Sequence, residues 1–480
     1  MYEYDLIVIG SGPAGEKAAA QAASAGKRVA IVEREPQPGG ASVHWGTLPS
    51  KTLRESCLYL ADFRHRDFYE HGQRPLSEIS VRELMRKERY VVENETARII
   101  HNLESHRIDL IRGEGSFVDA HTISVTGPSG SLRLLRGQVI VIATGSRPHR
   151  PDNIPFDHPD VHDSDTLLTI ERIPDSLMVV GGGVIGCEYA TMLAALGVKI
   201  TLVEGRDRLL DFLDSEISDL LVDRLRALGI ALRLGEHVEE FVAHPAGGVS
   251  VTLGCGAVLR TDKLLFSGGR QGNTDTLKLE NIGLTADQRG RLSVNHVYQT
   301  AVPNVYAAGD VIGFPALAAT SMGQGRVAVR HAFNLSLSKS LSPLLPIGIY
   351  TVPAVSMVGE TEESCLAKGI EYEVGRAHYR DNARAQIVGD TEGMLKLIFD
   401  RHDQRILGVH MIGERATELL HIGLMVMELG GTLETFIETV FNYPTLAELY
   451  KYAAYNGMGR LANWQLRHHP DRVERVGHEV

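Results

Sequence analysis

Five residues recur at one fixed offset: Gly10, Gly12, Gly15, Gly26 and Glu33 return as Gly181, Gly183, Gly186, Gly197 and Glu204, each pair 171 positions apart. The flanks repeat too. YDLIVIGSGPAG ends an apolar run and opens the helical pattern EKAAAQAASAG, after which KRVAIVE returns as a strand ending at Glu33. LMVVGGGVIG opens CEYATMLAALG in the same way, and VKITLVE ends at Glu204. One G-x-G-x-x-G says little in a chain with 49 glycines, where chance supplies roughly one match in every two chains of this length. Two copies with the same strand, helix glycine and terminal acid predict two βαβ units.

Such a loop joins a strand to a helix N-terminus. Its first glycine permits the tight turn, its second lets backbone approach a pyrophosphate, and its third lets helix and strand pack closely. Free N–H groups and the positive end of the helix dipole then favour phosphate. An acid about 20 residues on can accept a ribose hydroxyl, and Glu33 and Glu204 each lie 18 residues beyond the third glycine. Two loops imply two dinucleotides with hydride passing between them. Two diffusible nicotinamides would rarely meet in order, so one partner is expected to be resident, and a flavin is the usual resident.

A chain of 480 residues is expected to form two to four domains. Lys+Arg of 49 against Asp+Glu of 60 leaves a formal charge of −11, which argues against nucleic acid or an anionic membrane as the main partner. The N-terminus shows no signal-peptide pattern, and no apolar run reaches the roughly 18 residues of a membrane span. Cys57, Cys187, Cys255 and Cys365 form no CxxC, consistent with reduced thiols in the cytoplasm. The 20 histidines show no metal-ligand spacing, so no metal site is expected.

Between the repeats, residues 55–105 read as amphipathic helices. VIVIATGS (139–146) reads as a buried strand entering a turn, and RPHRPDNIPFDHPD (147–160) as a crossing linker. NVYAAGD (304–310) is a further buried strand, followed by a helix through LAATSMGQGRVAVRHAF. Beyond about 344 the pattern changes to strands and then two helices without a glycine fingerprint, and RHHPDRVERVGHEV reads as a solvated tail.

From residue 4 to about 463 the chain resembles the two-dinucleotide flavoproteins of the glutathione reductase and dihydrolipoamide dehydrogenase type. The motifs are GSGPAG, Gly39-Gly40 before Pro49-Ser50-Lys51, ATGSRP, GGGVIGCEYA, GGRQGNTD, NVYAAGD and YPTLAE. The resemblance implies an α/β fold with two Rossmann-like domains and a C-terminal α+β dimerisation domain. It implies an FAD-binding domain over 1–150, completed by a central part over 269–343, and an NAD(P)-binding domain over 151–268. The dimerisation domain would span 344–465, a tail 466–480, and the chain would form a homodimer or larger homo-oligomer. By the same resemblance Gly40, Ser42, Thr47, Lys51, Thr144, Gly145, Gly309 and Asp310 join the first loop around FAD. Gly269 and Arg270 are further cofactor-binding residues, and Arg206 joins the second loop around NAD(H) or NADP(H). Lys51 and Glu188 would form an ion pair beside the flavin N5, and Tyr443 and Glu448 would close the opposite face from the partner subunit.

The departures from the family pattern carry the functional expectation. Disulfide reductases hold two cysteines before PSK with four residues between them; here those positions are Ser42 and Thr47. Where the family has a histidine before Pro-Thr, this chain has Tyr443. Hydroxyls ionise too weakly for thiolate chemistry, and without thiols an imidazole base has no task. The chain is therefore expected not to reduce disulfides. It is similar to the family members that pass hydride from NADPH to NAD⁺, with Glu204, Arg206 and Arg208 accommodating both nucleotides. The same motifs also fit a diaphorase serving a quinone, or a flavin-based redox sensor.

Overall fold

The computed structural model describes residues 2–60, 78–336 and 340–468. Contacts divide them into two compact units. The first draws on Met1–Ser56, Ser80–Ile173 and Leu265–Pro343, the second on Cys57–Ile79, Pro174–Leu264 and Leu344–Val480.

In the first unit the strand Tyr4–Ile9 pairs in parallel with Val29–Glu33 on one side and with the latter half of Leu132–Ile142 on the other. Asp109–Arg112 and Val305–Ala307 extend the parallel sheet at either end. An apolar strand without alternation must be covered on both faces, and this one is. Leu6 and Val8 pack with alanines of the helix Pro13–Ser24 and with Ala328 and Val329 of the helix Ala318–Ala332. Ile7 and Ile9 pack with Phe117, Ile123 and Leu135 of an antiparallel meander over Glu114–Asp119, Thr122–Thr126 and the first half of Leu132–Ile142. Small residues let the two helices meet closely: a Cβ on Gly325 would lie 2.2 Å from the Ala14 carbonyl oxygen.

The helical expectation for 55–105 is met by the end of Thr47–Leu60 and by Arg86–Ser105, which buries Thr96, Ile99 and Leu103 at helical spacing; residues 61–77 lie outside the described part. The proline-rich stretch does not begin as a linker. Ser146–Pro148 is a strand, paired antiparallel with Arg270–Gly272.

In the second unit Ser176–Val180, Lys199–Glu204 and Ala231–Leu234 repeat the parallel arrangement. The helix Val184–Leu196 buries ten of its residues and stops at Gly197, whose φ of +108° suits the left-handed C-cap. A three-stranded antiparallel sheet follows over Val238–Ala243, Val249–Leu253 and Val258–Thr261. The C-terminal part is an antiparallel sheet in the order Ile347–Ile349, Val355–Gly359, Ile406–Ile412, Met394–Asp400, Tyr372–His378. Helices Ala416–Glu428 and Glu448–His468 cover it, burying Leu420, Leu449, Tyr450 and Ala453. The α/β class and a C-terminal part of α+β type are as the sequence predicts. Residues 466–468 are exposed and continue the final helix, whose buried face reaches Leu461 and whose Trp464 packs against the same core. Residues 469–480 lie outside the described part.

Candidate active site

The first glycine loop is closed by its own backbone. Gly10 has φ +101°, and a Cβ there would sit 2.3 Å from the Ala143 carbonyl oxygen. A Cβ on Gly15 would sit 1.9 Å from the Gly10 oxygen, so the helix could not approach the strand end. Pro13 starts the helix at a position that needs no N–H. Glu33, 7% exposed, accepts from Ser11 N at 2.8 Å, Ser11 Oγ at 2.6 Å and Glu35 N at 2.8 Å. Ser11 Oγ in turn accepts from Gly39 N at 3.1 Å, fastening the Gly39–Gly40 turn over the loop. Gly40 has φ +61°, and a Cβ on it would lie 2.8 Å from Gly12 Cα. Behind this turn Ser42 Oγ donates to Gly39 O at 3.4 Å, Thr47 opens the helix Thr47–Leu60, and Lys51 Nζ lies 3.3 Å from Ser50 Oγ.

A second wall stands in the same unit. Asn273 binds the Thr144 carbonyl through Nδ2 at 2.9 Å and the Gly145 carbonyl through its backbone N–H at 3.0 Å. Arg270 donates from Nε to Ser146 Oγ and from Nη2 to Ser146 O, both at 2.8 Å. Ser146 Oγ donates to Asp310 Oδ2 at 2.9 Å, and Gly309 N donates to the buried Gln324 Oε1 at 2.8 Å. Thr144, Gly145, Gly269, Arg270, Gly309 and Asp310 are therefore brought together around the end of the parallel sheet. Thr144 Oγ1 is buried without a hydrogen-bond partner in the chain. A buried hydroxyl left so is costly, and a bound ligand could satisfy it. Glycine-only approaches, a helix N-terminus without a side-chain cap and this orphaned hydroxyl together fit a dinucleotide.

The second loop repeats the geometry with different chemistry. Gly181 has φ +109°, and nothing lies within 4 Å of a Cβ placed on Gly183. Gly186 sits buried in the first turn of the following helix. Glu204, 9% exposed, accepts from Gly182 N at 2.6 Å and from Arg206 N and Nε, both at 3.0 Å. Burial pushes its carboxyl up, but the Arg206 and backbone donors outweigh burial and hold it below the usual carboxylate range. Arg206 Nη1 also binds Asp211 Oδ1 at 3.0 Å, and Arg208 binds Asp219 at 2.7 Å. Glu188 is buried in the loop's helix and accepts from Tyr350 N at 2.9 Å. Burial pushes the neighbouring Cys187 thiol up to about 12, so it is inert as a nucleophile.

Glu188 and Glu204 thus lie in the second unit, whereas Lys51, Gly269 and Arg270 lie in the first. Tyr443 is 67% exposed on its own chain, and Glu448 begins the last helix. Sequence reasoning left Ser11, Ser146, Asn273 and Gln324 without roles. Ser11, Ser146 and Asn273 stood inside recognised motifs; Gln324 gave no signal, being one polar residue on a helix. Asp214, Glu216 and Glu362 form the one acidic cluster of metal-ligand spacing among the described residues, and it surrounds the Lys396 ammonium.

Residues 4–325 match the family described as pyridine nucleotide-disulphide oxidoreductase, and residues 345–454 match its dimerisation domain. The chain belongs to that family, which works with a flavin and nicotinamide nucleotides. Its curated relatives narrow the class further. It is 48% identical to a soluble pyridine nucleotide transhydrogenase of Mycobacterium bovis over 462 residues, covering 96% of this chain and 98% of that one. The protein of the same name from Colwellia psychrerythraea is 44% identical over 463 residues, covering 96% and 99%. Among solved structures, the HOCl-induced flavoprotein disulfide reductase RclA of Escherichia coli matches with a TM-score of 0.85 at 29% identity, covering 94% of this chain and 99% of that one. LpdA of Mycobacterium tuberculosis matches with 0.87 at 27% identity, covering 94% and 99%. Among the described residues no helix is long and apolar enough to cross a membrane.

Proposed function

We propose that this chain is an FAD-dependent transhydrogenase that moves hydride from NADPH to NAD⁺ in the cytoplasm, as a homodimer. The observation that carries this reading is the pairing of two complete dinucleotide loops with Ser42 and Thr47 at the positions of the family's redox cysteines. Bound FAD supplies a ring that accepts hydride from one nicotinamide and returns it to another.

The protein's own work is holding and orienting. Gly10, Gly12, Gly15 and Gly40 leave backbone open to the FAD pyrophosphate, and Glu33 takes the ribose end. Thr144, Gly145, Gly269, Arg270, Gly309 and Asp310 form the second wall of that site. Gly181, Gly183, Gly186, Glu204 and Arg206 receive the nicotinamide nucleotide. We assign Lys51 and Glu188 to the hydride step on the family resemblance, with near-attack positioning of the nicotinamide as the protein's main catalytic contribution. Ser42 and Thr47, with Tyr443 and Glu448 from the partner subunit, close the face a disulfide would need. Since both nucleotides use one pocket in turn, the kinetics are ping-pong.

Anaerobic spectroscopy tests the reading. The purified protein is expected to be yellow, to bleach with NADPH and to regain its colour on adding NAD⁺. Recovery only with a quinone would point to a diaphorase instead, and brisk turnover of a dithiol would overturn the reading.

A further inference from the structure

A pocket that serves both nucleotides faces opposite demands at one carbon. The NAD ribose offers a 2′-hydroxyl, a donor that suits the Glu204 carboxylate. NADP carries a dianionic phosphate there, which the same carboxylate repels and a guanidinium attracts. The structure shows where that guanidinium is kept. Arg206 lies along Glu204, with Nε 3.0 Å from Oε1 and Nη2 3.3 Å from Oε2. Its remaining terminal nitrogen, Nη1, is taken by Asp211 Oδ1 at 3.0 Å. Two backbone N–H groups fix Glu204 independently of the arginine, those of Gly182 at 2.6 Å and Arg206 at 3.0 Å. The acid would therefore stay in place if the side chain of Arg206 swung away. The Arg206 side chain is 48% exposed and that of Asp211 59%, so the guanidinium has room to turn and the ion pair is screened.

We infer that Asp211 sets the balance between the two nucleotides by competing with the NADP 2′-phosphate for Arg206. With NAD(H), Arg206 stays on Asp211 and on Glu204 Oε1, and the ribose hydroxyl replaces only its long 3.3 Å Nη2 contact on Glu204 Oε2. With NADP(H), the arginine must give up Asp211 to meet the phosphate, and that exchange weakens NADP(H) binding relative to what the arginine alone would provide. Asp211 is a positioning residue, acting through Arg206. The inference rests on the second loop being the nicotinamide nucleotide site.

The test is Asp211→Asn in the full-length FAD-loaded protein, titrated calorimetrically with adenosine 2′,5′-bisphosphate and, separately, with ADP. The variant is expected to bind the 2′-phosphorylated probe about threefold more tightly, the size of a half-exposed ion pair, while ADP affinity stays unchanged. The gain should fade at high salt, and KM for NADPH should fall while KM for NADH and both kcat values hold. Unchanged or weaker binding of the bisphosphate by Asp211→Asn, with the wild type binding it well, overturns this inference alone. A wild type that binds neither probe overturns the nucleotide-site reading and this inference with it. A merely structural role for Asp211 would move both probes together and is also excluded only by the split.

Discussion

The two glycine loops have the same spacing and the same backbone turn, yet they are finished differently. In the first, Glu33 is satisfied by neutral donors, Ser11 twice and Glu35 once, and Ser11 ties down the Gly39–Gly40 turn that lies across the loop. In the second, Glu204 is satisfied partly by the half-exposed Arg206, and the position of Gly183 is open. A covered loop with neutral partners suits a ligand that stays. An open loop with a movable charge suits ligands that come and go and that differ in charge. The repeat thus supplies a common backbone turn, and the residues just outside it give the two loops different cover and different charge.

The largest expected effect concerns the framework of the second loop. Lys396, 1% exposed, holds the fully buried Asp214, the N-cap of the helix Ser215–Ala227, at 2.8 Å. Lys396→Met would leave that carboxylate buried without its cation, a loss of about 3–5 kcal/mol. In a calorimetric melt the second unit should then unfold well before the first; a single unshifted transition would contradict this.

Next comes the first loop. A Cβ on Gly12 would lie 3.8 Å from Gly40 Cα, ordinary contact, so Gly12→Ala should fold normally yet bind FAD roughly 100-fold more weakly, because the methyl occupies the pyrophosphate's approach. Gly15→Ala, which must displace the Gly10 carbonyl, should instead lose thermal stability. Equal behaviour of the two variants would remove the distinction between ligand approach and packing.

Glu204→Gln should raise KM for NADH about tenfold, the cost of a charge-assisted hydrogen bond, and leave the flavin spectrum unchanged. In the wild type, the Arg206 and backbone donors depress the Glu204 carboxyl in the fold. Its contribution to stability is therefore present above the unfolded value of about 4.3 and disappears only as pH falls through the lower folded value. KM for NADH should accordingly stay flat from about pH 8 to pH 5. The smallest change belongs to Gly183→Ala, which meets no protein atom and should raise KM for both nucleotides by about threefold without touching stability.

Much of this was legible in the chain because it depends on local pattern. Strand, turn, helix and terminal acid all lie within a few dozen residues, and glycine is required wherever backbone must pass backbone. Ser42 and Thr47 in place of cysteines are a statement about atoms present, independent of any fold. Other features had no local signal. Ser146 reads as a turn residue, yet it links Arg270 to Asp310 from three separated segments. Arg147 and Arg150 read as linker residues, while a strand pairing and the Arg150–Asp163 bond at 2.7 Å hold them in place. The last helix outlasts its sequence pattern because packing, which Trp464 extends, decides where a helix stops being worth forming.

By itself the sequence determined that two dinucleotide-binding loops exist, that a C-terminal part of another type follows them, and that no cysteine pair is available for electron relay. Each of these is written in residues near one another or in residues simply present. Tertiary structure alone decided how the loops differ, since the partners of Glu33 and Glu204, the cover over Gly12, the orphaned hydroxyl of Thr144 and the hold of Asp211 on Arg206 are matters of distance. Side-chain partners are selected by geometry across the fold, and spacing along the chain does not encode it.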